Sequence, residues 1–487
     1  MAQTTIALAT GSARAPRRCA RSLRRVAGLV ACAGALAACA SYVPAPIDTR
    51  QSAEAFGAKR LDAPHVREDI ERVTPGAIAA WPPPTWDRGT LLAVALAENG
   101  SLAVARAEVE AALAGEITAG ESPNPTLDLQ SEYARREPDH WLYGLSFDFL
   151  LRRRADLDIR LARLGTNAAR AGLMEETWGV RRALTTALSD RESAERRETE
   201  LSLLADAQDR LVATQRQRVE AGEDAPSALA IAESARLEIA QQRAAARTDA
   251  ATADAAAAAA LGVPPRALDG IAIAWPDWGD PPAVEPDRIE PLREQALLSR
   301  ADLAAAIGAY AEAETKLERA IARQYPEMNL HPGYYWDHGI AKWPFDIGFA
   351  LPLFHRNRGE IAEATAARDV AGKRLLALQA EIYGAIEAAL RAEAIARGNL
   401  DAAGRRADAA RRALDRADQA LRLGASDRIE HAGAETAVRH AELDRIAAMA
   451  ALQAARNALE DALHAPLSGP ELGLALPAAA AVSGADE

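Results

Sequence analysis

Bulky side chains are scarce in this chain: aromatic residues make up 5% of its 487 positions, and there are three cysteines. Few aromatics beside abundant alanine and 26% charged residues exclude a set of ordinary thick-cored domains. They argue instead for long helices meeting on narrow seams. The short patterns that carry common chemistries are absent: there is no Walker-type phosphate loop, no GxSxG, no HExxH and no CxxC. No catalytic residue and no cofactor is assigned. A basic excess is missing as well, since the formal charge is −12, which gives no reason to expect a nucleic-acid partner.

Long apolar runs are also lacking. The amino terminus has an arginine-rich stretch followed by an apolar run from Val26 to Ala38, too short to span a membrane as a helix, and reads as an export signal over residues 1–38. The run ends in Leu36-Ala37-Ala38-Cys39, which resembles a bacterial lipobox, so Cys39 is the expected lipid attachment residue and the new amino terminus. Cys19 and Cys32 lie within the removed segment, leaving Cys39 alone with no disulfide partner. The signal holds six arginines and no acid, so its loss takes the formal charge from −12 to −18. Ala40-Ser41 lacks the Asp that tends to hold such lipoproteins at the inner membrane, which implies sorting to the outer membrane.

The rest of the chain repeats itself at an offset of about 201 residues: Ala95-Leu96 with Ala296-Leu297, Asn124-Pro125 with Tyr325-Pro326, and Gly222 with Gly424. The expected organisation is an extended segment over 39–87, a first repeat over 88–285, a second over 286–465, and a flexible tail over 466–487. Residues 155–221 and 359–423 contain no proline and carry Ala and Leu at helical spacing; each is long enough for a helix of roughly 100 Å at 1.5 Å per residue. Shorter helices are expected over 90–119, 227–262, 291–322 and 427–464. Two of them stacked end to end match one long helix, with alanine at the seams permitting close approach.

Between the helices lie four segments that alternate with period two. Leu127, Leu129 and Tyr133 oppose Thr126, Asp128, Gln130 and Glu132. Trp141, Tyr143, Leu145, Phe147 and Phe149 oppose Gly144, Ser146 and Asp148. Met328, Leu330, Tyr334 and Trp336 oppose Asn329, His331 and Gly333. Trp343, Phe345, Ile347, Phe349, Leu351 and Leu353 oppose Asp346, Gly348 and Ala350. One apolar and one wet face is the pattern of half-exposed strands, expected over about 126–133, 141–150, 327–336 and 343–354. Thirteen of the 22 aromatics fall within 125–152 and 325–354, so the apolar faces fit lipid, with Tyr133, Trp141, Tyr143, Tyr334, Trp336 and Trp343 as membrane-interface aromatics. Four strands cannot close a pore and open edges cannot face lipid, so the barrel must be shared; three copies supply 12 strands. A free-standing coiled-coil rod, which accounts for the helices alone, and a soluble β-sandwich appended to helices are the competing folds.

The order of these elements, twice over, resembles the TolC family of outer-membrane factors across roughly residues 88–465. The local marks are Leu351-Pro352-Leu353-Phe354 with Arg356-Asn357-Arg358-Gly359, Arg218 to Gly222 at one hairpin, Leu423-Gly424 at its counterpart, and Ala260-Leu261-Gly262. The second repeat departs from this by ending in His464, and the first has Leu150 to Arg154 in place of the Pro-Leu-Phe turn. The resemblance implies a mainly α fold, an α-barrel of antiparallel coiled coils carrying a 12-stranded trimeric β-barrel. It also implies a homotrimer in the outer membrane of a Gram-negative bacterium, working as the exit duct of a tripartite efflux system. Its partners would be a periplasmic adaptor and an inner-membrane pump of the RND type, with Arg218, Gly222, Leu423 and Gly424 at the adaptor-docking tips. The segment Phe354 to Ile361 is similar to the heavy-metal branch that exports cobalt, zinc, cadmium or copper; type I protein secretion is the other cargo class.

At the tips, Gly222 precedes Glu223-Asp224-Ala225-Pro226, and Gly424 precedes Asp427, which forms a capping box with Glu430. Asp224, Asp427, Glu430 and Glu435 are candidates for a negative ring at a periplasmic gate. His331, Asp337 and His338, and His431 with Glu435, are close enough in sequence to suggest weak metal binding, but solvated polar pairs explain them better and no metal site is assigned. A barrel and a rod make different predictions. With Cys39 replaced, the mature chain should still require detergent to stay in solution, whereas a coiled-coil lipoprotein would become water-soluble.

Overall fold

The structure, a computed structural model, describes residues 42–474 apart from 77, 79, 136–139, 153 and 338; the expected signal and Cys39 lie outside them. One compact unit ends at Ala55, and the other runs from Phe56 onward. Helix α1 (Thr49–Ala58) is followed by α2 (Pro64–Val73), α3 (Arg88–Glu98) and α4 (Gly100–Gly120). Strands β1 (Thr126–Ala134) and β2 (His140–Leu151) lead to α5 (Ala155–Glu220) and α6 (Pro226–Leu261). The order then recurs: α7 (Pro286–Ser299), α8 (Ala301–Ala322), β3 (Met328–Asp337), β4 (Ile340–Lys342), β5 (Phe345–Phe349), α9 (Arg358–Arg422) and α10 (Arg428–Leu463). No described helix is long and apolar enough to cross a membrane.

Three features differ from the sequence expectation. The segment 39–87 is not simply extended, because α1 and α2 form there, and Val66 and Ile70 of α2 are buried. The single helices expected over 90–119 and 291–322 are each two, broken at Asn99 and Arg300, both of which adopt extended backbone. Residues 466–474 are packed rather than a loose tail: Leu467 and Glu471 are buried, and a short 3-10 turn spans Pro470–Gly473.

The two breaks have a physical purpose. Helix α5 packs along both α4 and α6, and α9 along α8 and α10, so short helices stack end to end beside long ones. Each stack brings one helix's orphan carbonyls against the start of another. Asn99 serves both ends: its Oδ1 accepts from the N–H groups of Ser101 (2.8 Å) and Leu102 (3.3 Å), and its Nδ2 donates to the Ala260 carbonyl at 2.8 Å. In the second half Arg300 Nη1 donates to the Ala462 carbonyl at 2.5 Å. The ends of α6 and α10 turn through left-handed residues, Gly262 (φ 75°) and His464 (φ 48°). Glycine is required at the first, where a Cβ would lie 2.5 Å from the Glu98 carbonyl oxygen. His464 has room, and its ring stacks on Trp178 with centroids 5.0 Å apart.

Bulky side chains gather where these junctions lie. Leu61, Trp86, Leu91, Leu92, Leu184, Leu261, Trp275 and Trp278 form the largest buried cluster. Nearby, Arg181 of α5 is enclosed with Glu460 of α10 and Glu471 of the carboxyl-terminal turn, each at 2.5 Å. Burial disfavours the guanidinium charge, and the two carboxylates more than offset this, leaving its pKa raised. Breaking such a buried group is costly while losing an exposed pair is not. Arg181→Met should destabilise the protein by about 3–5 kcal/mol, read as a fall in melting temperature. Arg247→Ala, whose side chain is 61% exposed beside Glu198, should cost less than about 1 kcal/mol.

Candidate functional site

Register explains how the sheet sorts its side chains. Strands run in the order β1-β2-β3, and both β4 and β5 pair with β3, all antiparallel. The expected fourth strand is two pieces, yet Tyr335↔Lys342 and Pro332↔Phe345 belong to the same register. The gap falls at Pro344, which has no N–H to give; Gly333 still donates to its carbonyl at 2.9 Å. Pro332 interrupts the β2–β3 ladder in the same way, between Ser146↔Gly333 and Phe149↔Leu330.

Pairs such as Leu145↔Tyr334, Phe149↔Leu330 and Leu330↔Ile347 place one apolar row after another on a single face. Leu129, Trp141, Tyr143, Phe147, Phe149, Phe345, Ile347 and Phe349 are all exposed there. The reverse face carries Asp128, Gln130, Ser146, Asp148, Asn329, His331 and Asp346, by pairs such as Asp128↔Ser146 and His331↔Asp346. His331 Nε2 lies 3.4 Å from Asp148 Oδ1 across the β2–β3 pair. The outer strands, β1 on one side and β4 with β5 on the other, have no further strand partner among the described residues.

The six interface aromatics form one belt rather than two. Tyr133 meets Trp141 (centroids 4.7 Å apart), Trp141 stacks on Tyr143 (5.8 Å), Tyr143 meets Trp336 (6.2 Å), and Tyr334 meets Trp343 (4.7 Å). All lie toward the hairpin ends of the strands, away from the helices. The metal pairs considered from sequence are not brought together. His331 and Asp337 share a strand face about 20 Å apart at roughly 3.3 Å per residue, and Asp337 binds Lys342 at 2.8 Å. His338 lies outside the described residues. His431 Nε2 sits 2.5 Å from Asp418 Oδ1, whereas Glu435 pairs with Arg210.

At the opposite ends of α5 and α9 the two hairpins share a turn geometry. Gly222 (φ 76°) and Gly424 (φ 71°) each follow a helix in the left-handed conformation. Glu223 N–H reaches the Arg218 carbonyl (2.9 Å) and Gly222 N–H that of Val219 (3.0 Å), the Schellman pattern; Ala425 to Ala420 (2.8 Å) and Gly424 to Leu421 (3.1 Å) repeat it. Pro226 begins α6, but Ala225 is its cap and Asp224 does not cap. Asp427 does cap α10, accepting from Ile429 N–H (3.0 Å) and Glu430 N–H (2.8 Å). The capping box is only half formed, since Glu430 accepts from Ser426 Oγ at 2.6 Å instead.

The sequence-predicted acids are not a bare negative ring. Arg218 donates through Nε to Asp224 Oδ2 at 2.7 Å and through Nη1 to Asp427 Oδ2 at 3.2 Å, so one guanidinium ties both hairpins together. Gln215 Nε2 adds a bond to Asp224 Oδ2 at 2.7 Å. Arg218, first taken as a docking residue, is thus engaged within the chain, while Leu423 is 83% exposed. Gln215 and Arg210 were missed from sequence; their signal was only a position about two to three turns before the glycine, which any helix surface shares.

Comparisons with known proteins bear on this geometry. Residues 292–464 match the family described as outer membrane efflux protein. The fold is shared over most of the chain with solved outer-membrane proteins. OprN, an outer-membrane channel, is 18% identical with a TM-score of 0.66, covering 88% of this chain and 98% of its own. CusC, described in terms of transmembrane channel formation, is 18% identical with a TM-score of 0.63, covering 78% and 92%. VceC, an outer membrane protein of Vibrio cholerae, is 16% identical with a TM-score of 0.63, covering 78% and 97%. Comparison with curated proteins gives no match. The mainly helical fold with a small antiparallel sheet anticipated from sequence is therefore the one shared with these solved structures.

The anchoring of Arg218 within its own hairpin has a definite pH sense. The hydrogen bond from Arg218, then that from Gln215, holds the Asp224 carboxyl below the ordinary carboxylate range. A depressed pKa means the Arg218–Asp224 bond that orients the guanidinium is complete above that range and is lost as pH falls through the lowered value. Spin labels on Glu223→Cys and Ala425→Cys should report one narrow distance distribution at neutral pH, broadening in Arg218→Ala. In the otherwise unmodified chain broadening should begin only below about pH 4.

Proposed function

We propose that the chain is one protomer of a homotrimeric exit duct, in which three four-stranded units close a 12-stranded barrel and the long helices continue the passage into the periplasm. The observation that carries this is the sheet itself: one exposed apolar face, one polar face, and two edges without strand partners. Unpaired backbone groups are not tolerated in hydrocarbon, and β1 of one copy can satisfy β4 and β5 of the next. Apolar residues left exposed on the helices, among them Ile231, Leu237, Leu376 and Ile395, support the same association. Cys39 would carry the lipid anchor.

The duct is passive, because nothing assigned in the chain consumes energy. It receives substrate from an adaptor and an inner-membrane pump of the RND type, which engage the glycine-marked tips near Gly222, Leu423 and Gly424. The resemblance of residues 354–361 to the heavy-metal branch directs the cargo proposal to metal cations. The gate is at the tips, where Asp224, Asp427, Glu430 and Glu435 gather, and Arg218 holds the two hairpins of each protomer in the closed arrangement. Opening requires the Arg218 pairs to break, which leaves the acids free to favour cations.

Planar-bilayer recordings test this reading. The purified protein should form channels of low conductance, and Arg218→Ala should raise the conductance severalfold. Asp427→Asn combined with Glu430→Gln should lower cation selectivity. Absence of channels would contradict the duct; unchanged selectivity in the double variant would contradict the acidic gate.

A further inference from the structure

The aromatic belt at the hairpin ends has no counterpart on the strands at the helix-proximal end. From the Tyr143–Trp336 row to the Leu151–Met328–Phe349 row, β2 advances eight residues. At roughly 3.3 Å per residue and a tilt near 40°, this covers only about 20 Å of membrane depth, against an apolar band of about 25 Å. Something beyond the last ladder pair must complete the band.

The segment joining β5 to α9 has the composition to do so. Leu351 and Leu353 are 64% and 68% exposed, and Phe354 is fully exposed, continuing the apolar series of Phe345, Ile347 and Phe349. Arg356 and Arg358 follow at once, both exposed and without an ion pair among the described residues. The segment is held in shape. Leu353 N–H donates to the Leu351 carbonyl at 2.8 Å, closing a three-residue turn. Asn357, buried and left-handed at φ 54°, donates from Nδ2 to the Ala320 carbonyl at 2.8 Å. Two arginines of the other junction are already occupied: Arg152 with Asp158 (2.9 Å) and Arg154 with Glu327 (2.6 Å).

Resting on the barrel reading above, we infer that residues 351–358 form a lipid-binding anchor in the periplasmic leaflet. Leu351, Leu353 and Phe354 enter the acyl boundary, and Arg356 and Arg358 bind phospholipid phosphates. Apolar residues beside free guanidinium groups match the layered chemistry of that boundary, and the patch is continuous with the apolar sheet face. The anchor supplies the second belt and fixes the depth of the barrel, a role for which the hairpin-end aromatics alone are insufficient.

Nitroxide accessibility tests this in the full chain, reconstituted in phosphatidylethanolamine–phosphatidylglycerol vesicles. Labels go on Phe354→Cys, on Phe147→Cys in mid-sheet, and on Leu423→Cys at the water-exposed tip, with the parent protein controlling for Cys39. Positions 147 and 354 should both be open to oxygen and shielded from an aqueous nickel chelate, 354 being the shallower. Adding Arg356→Gln and Arg358→Gln should shift 354 toward the chelate; no shift would overturn the phosphate contact. If 147 is lipid-exposed but 354 is as open to nickel as 423, or closed to both reagents through packing on a neighbouring protomer, the anchor is overturned and the barrel stands. If 147 is not lipid-exposed, both readings fall.

Discussion

Backbone hydrogen bonding in hydrocarbon is the constraint on which the rest depends. A sheet of this kind, with a full apolar face and unpaired outer strands, has no stable existence alone in lipid. In the proposed barrel the N–H and C=O partners of the outer strands come from other copies, a reading that makes the association of chains a condition of membrane insertion. Pro332 and Pro344 show how narrow the tolerance is. Each removes a ladder donor, and in both cases the register resumes unbroken beyond it.

The helical part answers a different requirement, that of extending far from the sheet with little core. Alanine lets long helices approach closely, while bulky residues are concentrated at the level where short helices meet end to end. There Asn99 and Arg300 satisfy carbonyls that the stacked helices would otherwise leave orphaned. Buried charge is placed at the same level: Arg181 joins α5, α10 and the carboxyl-terminal turn through Glu460 and Glu471. The tips, by contrast, are joined by exposed pairs, Arg218 with Asp427 and Arg210 with Glu435, so the rigid level and the releasable level are separated along the helices.

Much of this was legible in the residues. Proline-free alanine-rich stretches delimited α5 and α9 to within a residue or two, and period-two alternation assigned each strand's faces correctly. What escaped has physical reasons. The break at Arg300 carries no proline or glycine, the one at Asn99 only Gly100 just beyond it, and both are supported by helices meeting from about 160 residues away. The burial of Glu471 depends on Arg181, far off in sequence, so a carboxyl-terminal stretch rich in proline, glycine and alanine looked loose. The acids at the tips were visible, but their pairing with Arg218 crosses from one hairpin to another and leaves no local pattern.

The claim that chains share one barrel is tested most directly by cross-linking its edges. Cysteine pairs placed along β1 and β5, such as Leu129 with Ile347, are oxidised in the membrane and the products sized under denaturing conditions. Edge-to-edge closure predicts covalent dimers and trimers at one register, with nothing larger than three chains. Monomers at every register, or a ladder continuing past three, would contradict it.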